Sequence, residues 1–470
     1  MAAMAILHGL APAPVERCRV LEIACGDGSN LIPMAYALPS SEFVGFDLAQ
    51  SPIERGQARA AELGLSNLRL FQGDLLDAGQ QLGPFDYIVA HGFYSWVPAA
   101  VRERLLAVCQ ELLTENGIAF ISYNALPGGQ VRTMLREMML FSAADVDDPE
   151  GQVREGLDFL RVVCAGRAEN DAFRAMLESQ IERMAKRPVA ATLHDEFGAV
   201  YYPVRVLDFA AHANRYGLQY VCEAELPPAK DPSYRADVQV SLDERAAGDF
   251  LKREQLLDYL RMRSFRQSLL CRTECAVQRD YPADSLQRLS LASSATEERD
   301  SDTGVSAFVL PSGARMELNH PGFMALLREL TAAWPGAMPL QSLEPQLESM
   351  GLPLAGDGKA WLIRLAIARM VEFRAWNPPV ARQIGPQPRA SACSRQEGRS
   401  LTQVATLLHL TIGIEDEKAR YLLSLLDGSR NRGALLDAMR TQFPDLPREK
   451  LEEGLEPALG SFHHAGVFEA

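Results

Sequence analysis

The residues from Arg19 to Leu31, RVLEIACGDGSNL, place an acidic side chain and a glycine hairpin at the end of an apolar run. Val20, Leu21 and Ile23 form the run. In the turn Ala24-Cys25-Gly26-Asp27-Gly28, two glycines let the backbone bend and let a ligand approach where a side chain would block it. Ser29 or Asn30 is then expected to cap a helix carrying Pro33 in its first turn. Strand, tight turn and helix N-terminus in that order make a cofactor site. A dinucleotide fingerprint needs a third glycine where Leu31 stands, so a pyrophosphate is not expected there. Asp47 closes EFVGFD about twenty residues on, placed for its carboxylate to accept both hydroxyls of a ribose, with Leu48 beside it. Asp74, in LRLFQGDLL, closes the third strand with Leu75 beside it. Glu22 and the turn amides from Cys25 to Gly28 are left for a charged end of the same ligand.

A second cluster follows in FDYIVAHGFYSWVP, residues 85–98. Ala90 and His91 are expected to line the cofactor pocket through their backbone. Tyr94 and Trp96, with Tyr123 from a later strand, are expected to wall a channel for an acceptor, since aromatic faces attract an ammonium group. His91 reads as a general base or as an orienting hydrogen bonder. The eight cysteines are scattered and read as reduced thiols; Cys271 and Cys275 have no second ligand pair, so no metal site is expected.

The elements that must hold these residues alternate: strands near 19–25, 42–47, 68–74, 85–91 and 117–123, helices near 29–38, 51–63 and 99–113. That is βαβ rhythm and a parallel sheet, with the ligand crevice at the strands' C-terminal ends. Residues 1–126 form this Rossmann-like core. A helical insertion at 127–200, a lid or dimer interface, interrupts the sheet, which resumes at 201–240 with a helix at 206–216 and a strand at 218–222. A helical middle region at 241–284 follows, its helical pattern running over 243–272. A polar linker at 285–306 leads to a small α+β module at 307–376. A Pro-rich linker at 377–400 leads to a mainly helical module at 401–470. Both modules read as winged-helix-like.

Composition narrows the class. With 470 residues the chain exceeds one core. A net charge of −14, and 7 Lys+Arg against 11 Asp+Glu within 401–470, argue against a nucleic-acid partner. No apolar run of membrane-spanning length occurs, so a cytoplasmic protein without a membrane partner is expected.

The pattern acidic-x-small-x-Gly-x-Gly from Glu22 to Gly28 resembles motif I of the class I S-adenosylmethionine (SAM) methyltransferases, with Ala24 where a glycine is usual. AHGFYSWVP, ISYNALPGG at 121–129, LHDEF at 193–197, GLQYVCEAEL at 217–226, FRQSLLCR at 265–272 and LDGSRNR at 426–432 resemble bacterial methyltransferases carrying the methyltransferase regulatory domain. That family includes protein-lysine methyltransferases acting on surface proteins. The resemblance implies SAM as cofactor, with Asp74 accepting from its adenine amino group and Leu75 packing on the ring, an α/β class I sheet with a helical insertion, a protein substrate and a homodimer. Such chains usually carry an aromatic, Pro-containing lead, whereas this sequence begins at Met1-Ala-Ala-Met in the first helix, so a cofactor-capping or substrate-binding segment is expected to be absent. Two other readings stay open: methylation of a small molecule such as a sugar or secondary metabolite, and a non-catalytic SAM-binding scaffold.

Overall fold

The computed structural model describes residues 1–226, 235–299, 306–354 and 357–470. After α1 (Ala2–Leu7) come β1 (Arg19–Ile23), α2 (Leu31–Ala37), β2 (Glu42–Asp47), α3 (Gln50–Glu62), β3 (Leu68–Gln72), β4 (Phe85–Ala90), α4 (Ala99–Leu112) and β5 (Leu113–Asn124). These are the strands and helices expected from the apolar runs, β5 starting a few residues early. Four helices follow, α5 (Gly129–Ser142), α6 (Pro149–Ala165), α7 (Ala172–Ala185) and α8 (Val189–Phe197). They carry their own core around Leu135, Met139, Leu160 and Leu177, so the methionines of this stretch pack. The polar break before α6 is its start signal, because the Asp148 carboxylate accepts from the Gly151 amide and Pro149 opens the helix.

The chain returns through α9 (Val206–Asn214), β6 (Leu218–Glu223), α10 (Ala236–Ala246), α11 (Phe250–Arg261) and β7 (Phe265–Arg272). The resulting sheet has the order β3-β2-β1-β4-β5-β7-β6, with β1 to β5 parallel and β7 antiparallel to both its neighbours. Residues 265–272, expected to continue a helix, are therefore a strand near one edge of the sheet. Leu269, Leu270 and Cys271 are all fully buried, and a run covered on both faces loses the alternation that marks a strand.

Alternate strand residues face two layers. Val20, Phe43 and Val89 pack with α1, α2 and α3, while Leu21, Val44 and Ile88 pack with α4 and α9. The first layer runs on into the next region, α12 (Ala283–Leu286), β8 (Ser290–Ala292), β9 (Thr296–Arg299), β10 (Ser306–Val309), β11 (Arg315–Glu317), α13 (Pro321–Ala333), β12 (Met338–Pro339), α14 (Leu340–Ser349), α15 (Asp357–Ile367) and β13 (Glu372–Arg374). From α13 to β13 the order is helix, short strand, two helices and a closing strand. The expected linker at 285–306 is corrected in its described part: β8 is the central strand between β12 and β13, and the Ser293 hydroxyl donates to the Met370 carbonyl (2.7 Å) in the interior. Residues 300–305 of that stretch lie outside the described residues.

The last elements are α16 (Ala392–Gly398), β14 (Gln403–Ala405), β15 (Thr411–Gly413), α17 (Glu417–Leu425), α18 (Arg432–Gln442) and α19 (Arg448–His464). The expected linker at 377–400 is also corrected. It contains α16, whose Cys393, Ser394 and Glu397 are buried, and it bridges to the C-terminal strand residues through Ala390 and Phe468. No helix among the described residues is long and apolar enough to cross a membrane.

Candidate functional site

The glycine turn is built by three left-handed residues in alternation: Ala24 (φ 57°), Gly26 (φ 57°) and Gly28 (φ 71°). Ala24 holds a conformation costing an L-residue with a Cβ about 1–2 kcal/mol, which gives the physical reason a glycine is usual there. Nothing lies within 4 Å of the place a Cβ on Gly26 would occupy, so the backbone is open to a ligand on that side. The opposite side of the turn is closed by α3. There a Cβ on Gly56 would sit 2.2 Å from the Asp27 carbonyl oxygen, and no larger residue lets the helix come so near.

Glu22 is 5 % exposed at the end of β1. The Asn30 amide donates to its Oε1 (3.1 Å), while Oε2 is buried without a partner among the described residues. Burial pushes its carboxyl up to about 7, the Asn30 bond holding it lower than burial alone would. Asn30 thus serves Glu22 rather than capping α2, and the Ser29 amide donates to Asp27 Oδ1 (3.1 Å); the expected cap from either residue is corrected. Asp47 lies at the end of β2, its Oδ2 accepting from the Gly26 amide (2.9 Å) and its Oδ1 from the Ala49 amide (2.8 Å). Each oxygen keeps a lone pair, enough for two hydroxyls. Leu48 beside it is largely exposed.

Asp74 follows β3, exposed, its Oδ1 accepting from the Leu76 amide (2.9 Å), and Leu75 is buried. Ala90 is fully buried and offers only backbone. The expectation that amides from Cys25 to Gly28 hold a ligand is narrowed: those of Cys25, Gly26 and Gly28 already donate to Phe46, Asp47 and Cys25 oxygens. The Cys25 thiol is buried and pushed up to about 12, so it stays protonated.

The loop after β4 turns at Gly92 (φ 63°) and is pinned to β5 by two serines that the sequence reading passed over. Ser122 Oγ accepts from the Gly92 amide (2.7 Å), and Ser95 Oγ accepts from the Asn124 amide (2.8 Å). Their signal was a hydroxyl inside an otherwise apolar run, which a buried backbone amide required. His91 is exposed at the end of β4 with its ring 5.9 Å from Phe120 and 6.0 Å from Phe265, and the partial desolvation lowers its pKa.

Tyr94 and Tyr123 do not wall a channel. Tyr94 is 2 % exposed and its hydroxyl pairs with His212 Nδ1 (2.7 Å); Tyr123 is 1 % exposed, stacked on Phe209 at 4.2 Å with its hydroxyl on Ser268 Oγ (3.1 Å). Both belong to the core behind the crevice, where their polar tips found partners. Trp96 points the other way, toward the insertion, its ring 5.1 Å from Tyr201.

Beside it, between the C-terminal ends of the strands and the insertion, lies a half-open cavity of about 360 Å³. Asn124, Arg132, Arg187, Glu196, Tyr201 and Phe265 contribute to its lining. Segments that the sequence presents far apart, ISYNALPGG, LHDEF and FRQSLLCR, meet here.

Comparison with known proteins places this geometry. Residues 21–119 match the family model described as a methyltransferase domain, and residues 190–272 match that of the predicted methyltransferase regulatory domain. Uncharacterized protein RP789 of Rickettsia prowazekii is 30 % identical over 296 residues, covering 62 % of this chain and 52 % of that protein. Uncharacterized protein RP028 of the same organism is 40 % identical over 157 residues, 33 % of this chain and 63 % of that one. The chain thus spans about half to two thirds of the length of these curated relatives. The solved structure of PKMT2 from Rickettsia typhi superposes with a TM-score of 0.87 at 22 % identity, covering 99 % of this chain and 96 % of that one, and its complex with AdoHcy does so at 23 %. The likeness shows the fold, a class I methyltransferase sheet continued by the insertion and the C-terminal modules.

Proposed function

We propose that this chain, which carries a methyltransferase domain and a regulatory segment within one class I fold, binds SAM and methylates protein lysine side chains. The observation that carries the cofactor is Glu22: a buried carboxylate oxygen without a partner, beside a turn whose Gly26 face is open. Asp47 would take the ribose hydroxyls, Asp74 and Leu75 the adenine, and Glu22 the cationic methionyl end. When bound, SAM supplies a sulfonium methyl whose carbon accepts the acceptor's electron pair while the C–S bond electrons stay on sulfur. The chain's part is to position the amine, strip water from it and receive its proton. A lysine must be neutral to react, which from its reference pKa costs about 4–5 kcal/mol at pH 7. His91, neutral and at the mouth, is the group placed to take or relay that proton. Trp96, the one aromatic of the expected three that faces the insertion, would border the acceptor.

The half-open cavity supports a protein side chain entering from outside more than an enclosed small molecule. Eight free thiols fit a reducing, cytoplasmic location, and a homodimer follows from the family resemblance. The test is incubation with methyl-labelled SAM and fractionated lysate, followed by mass spectrometry. Label on lysine is expected. Label on a sugar or metabolite would replace the acceptor, and bound SAM with no labelled product would leave a non-catalytic scaffold.

A further inference from the structure

The cavity beneath the insertion carries more positive charge than its own chain neutralises. Arg132 donates through Nε to both Glu196 oxygens (3.1 and 3.2 Å) and through its terminal nitrogen to Asp195 (3.0 Å). Arg187 contacts the same two carboxylates. Behind them Arg136, 5 % exposed, donates to the carbonyl oxygens of Asp195 and Gly198. Arg183, exposed at the rim, reaches the Ser179 carbonyl (3.4 Å). Neither Arg136 nor Arg183 has a carboxylate partner among the described residues. Along the cavity Arg132 and Arg187 are matched by Glu196 and Asp195, while Arg183 borders the open side without a carboxylate partner among the described residues.

The chemistry selects what that surplus would hold. Arg132 lies over the Trp96 ring at 5.2 Å and Arg136 over the Tyr201 ring at 5.2 Å, so one face of each ring is already occupied by a guanidinium. The chain's net charge of −14 repels long polyanions. A single carboxylate on a flexible peptide meets neither obstacle and matches the guanidinium fork. The cavity also adjoins the proposed transfer point, because Phe265 on its lining packs edge-on against the His91 ring at the end of β4 (6.0 Å between ring centres).

We propose that this cavity receives a carboxylate carried by the acceptor, so that the preferred lysine lies in an acidic peptide segment. The inference rests on the lysine reading above and adds the sequence context of the acceptor. Its test is fluorescence anisotropy on the full chain saturated with AdoHcy, using labelled peptides in which one lysine is flanked by Glu or by Ala. Calorimetry on the same samples records AdoHcy binding. The Glu-flanked peptide is expected to bind about tenfold tighter at low ionic strength, with the gap closing as salt rises. Arg183→Gln, at an exposed position, is expected to narrow the gap several-fold with AdoHcy affinity unchanged. Equal binding of the two peptides, with AdoHcy bound, overturns this inference and leaves the methyltransferase reading standing. A gap that survives Arg183→Gln undiminished overturns the role given to the rim arginine. Absent AdoHcy binding overturns the methyltransferase reading and this inference with it.

Discussion

At the scale of single residues, Glu22 and Ala24 set the properties of the turn in opposite ways. Burial raises the Glu22 carboxyl to about 7 from an ordinary 4.5, so its ionisation opposes folding, and the ligand-free chain should lose stability as pH rises between those values. A cationic ligand end selects the ionised form. SAM affinity should therefore rise with pH through about 7 with release of a proton, and Glu22→Gln should flatten that dependence, as titration calorimetry in buffers of different ionisation heat would show. A flat wild-type profile would contradict the role. Ala24 stores strain that a glycine would relieve: with the left-handed cost removed and the extra backbone entropy of glycine subtracted, Ala24→Gly should stabilise by about 0.5–1 kcal/mol in urea unfolding. Much of this site was legible in the sequence, because a carboxylate at a strand end and a glycine at a bend have their reasons within a few residues. Tyr94 and Tyr123 were misread because their partners, His212 and Ser268, lie more than a hundred residues away, and nothing local distinguishes a ring lining a channel from one buried behind it.

At the scale of elements, the sheet could be read through β5 and again at β6, where helices and strands alternate with separate periods. Beyond the insertion the reading lost β7, because its centre is covered on both faces. Besides its ladders to β5 and β6, β7 carries a buried ionic cluster: Arg266, with no exposed surface, pairs with Glu223 (2.8 Å), Asp258 (2.8 Å) and Glu254 (3.1 Å), tying β7 to β6 and α11. Ser268 bonds Glu223 (2.9 Å) and thereby links Tyr123 of β5 into the same cluster. Removing the cation would strand three carboxylates in the interior. Arg266→Leu should lower stability by about 3–5 kcal/mol, measured by denaturant unfolding, and a loss under 1 kcal/mol would show that the cluster does not hold the strand.

At the scale of the whole molecule, the C-terminal region is bound to the cofactor half rather than strung from it. Arg59 of α3 reaches the glycine turn at Ser29 Oγ (3.3 Å) and Asp27 (3.8 Å), and pairs with Glu397 of α16 at 2.6 Å. Glu397 is buried and also accepts from the Ala405 amide (2.6 Å). A Pro-rich composition concealed this contact, since a helix of seven residues with buried serine and glutamate carries no apolar period. Glu397→Ala should lower the melting temperature by several degrees and uncouple the C-terminal region, seen as a second, earlier transition in calorimetric unfolding. A single unshifted transition would show that the regions are held together by other contacts. The proposed methyl transfer depends on the crevice over β1, β2 and β3 being a SAM site. Isothermal titration of the full chain with SAM tests that most directly. The account predicts one site per chain, with affinity reduced at least tenfold in Asp47→Ala, and the absence of any binding heat, or binding unaffected by that substitution, would contradict it.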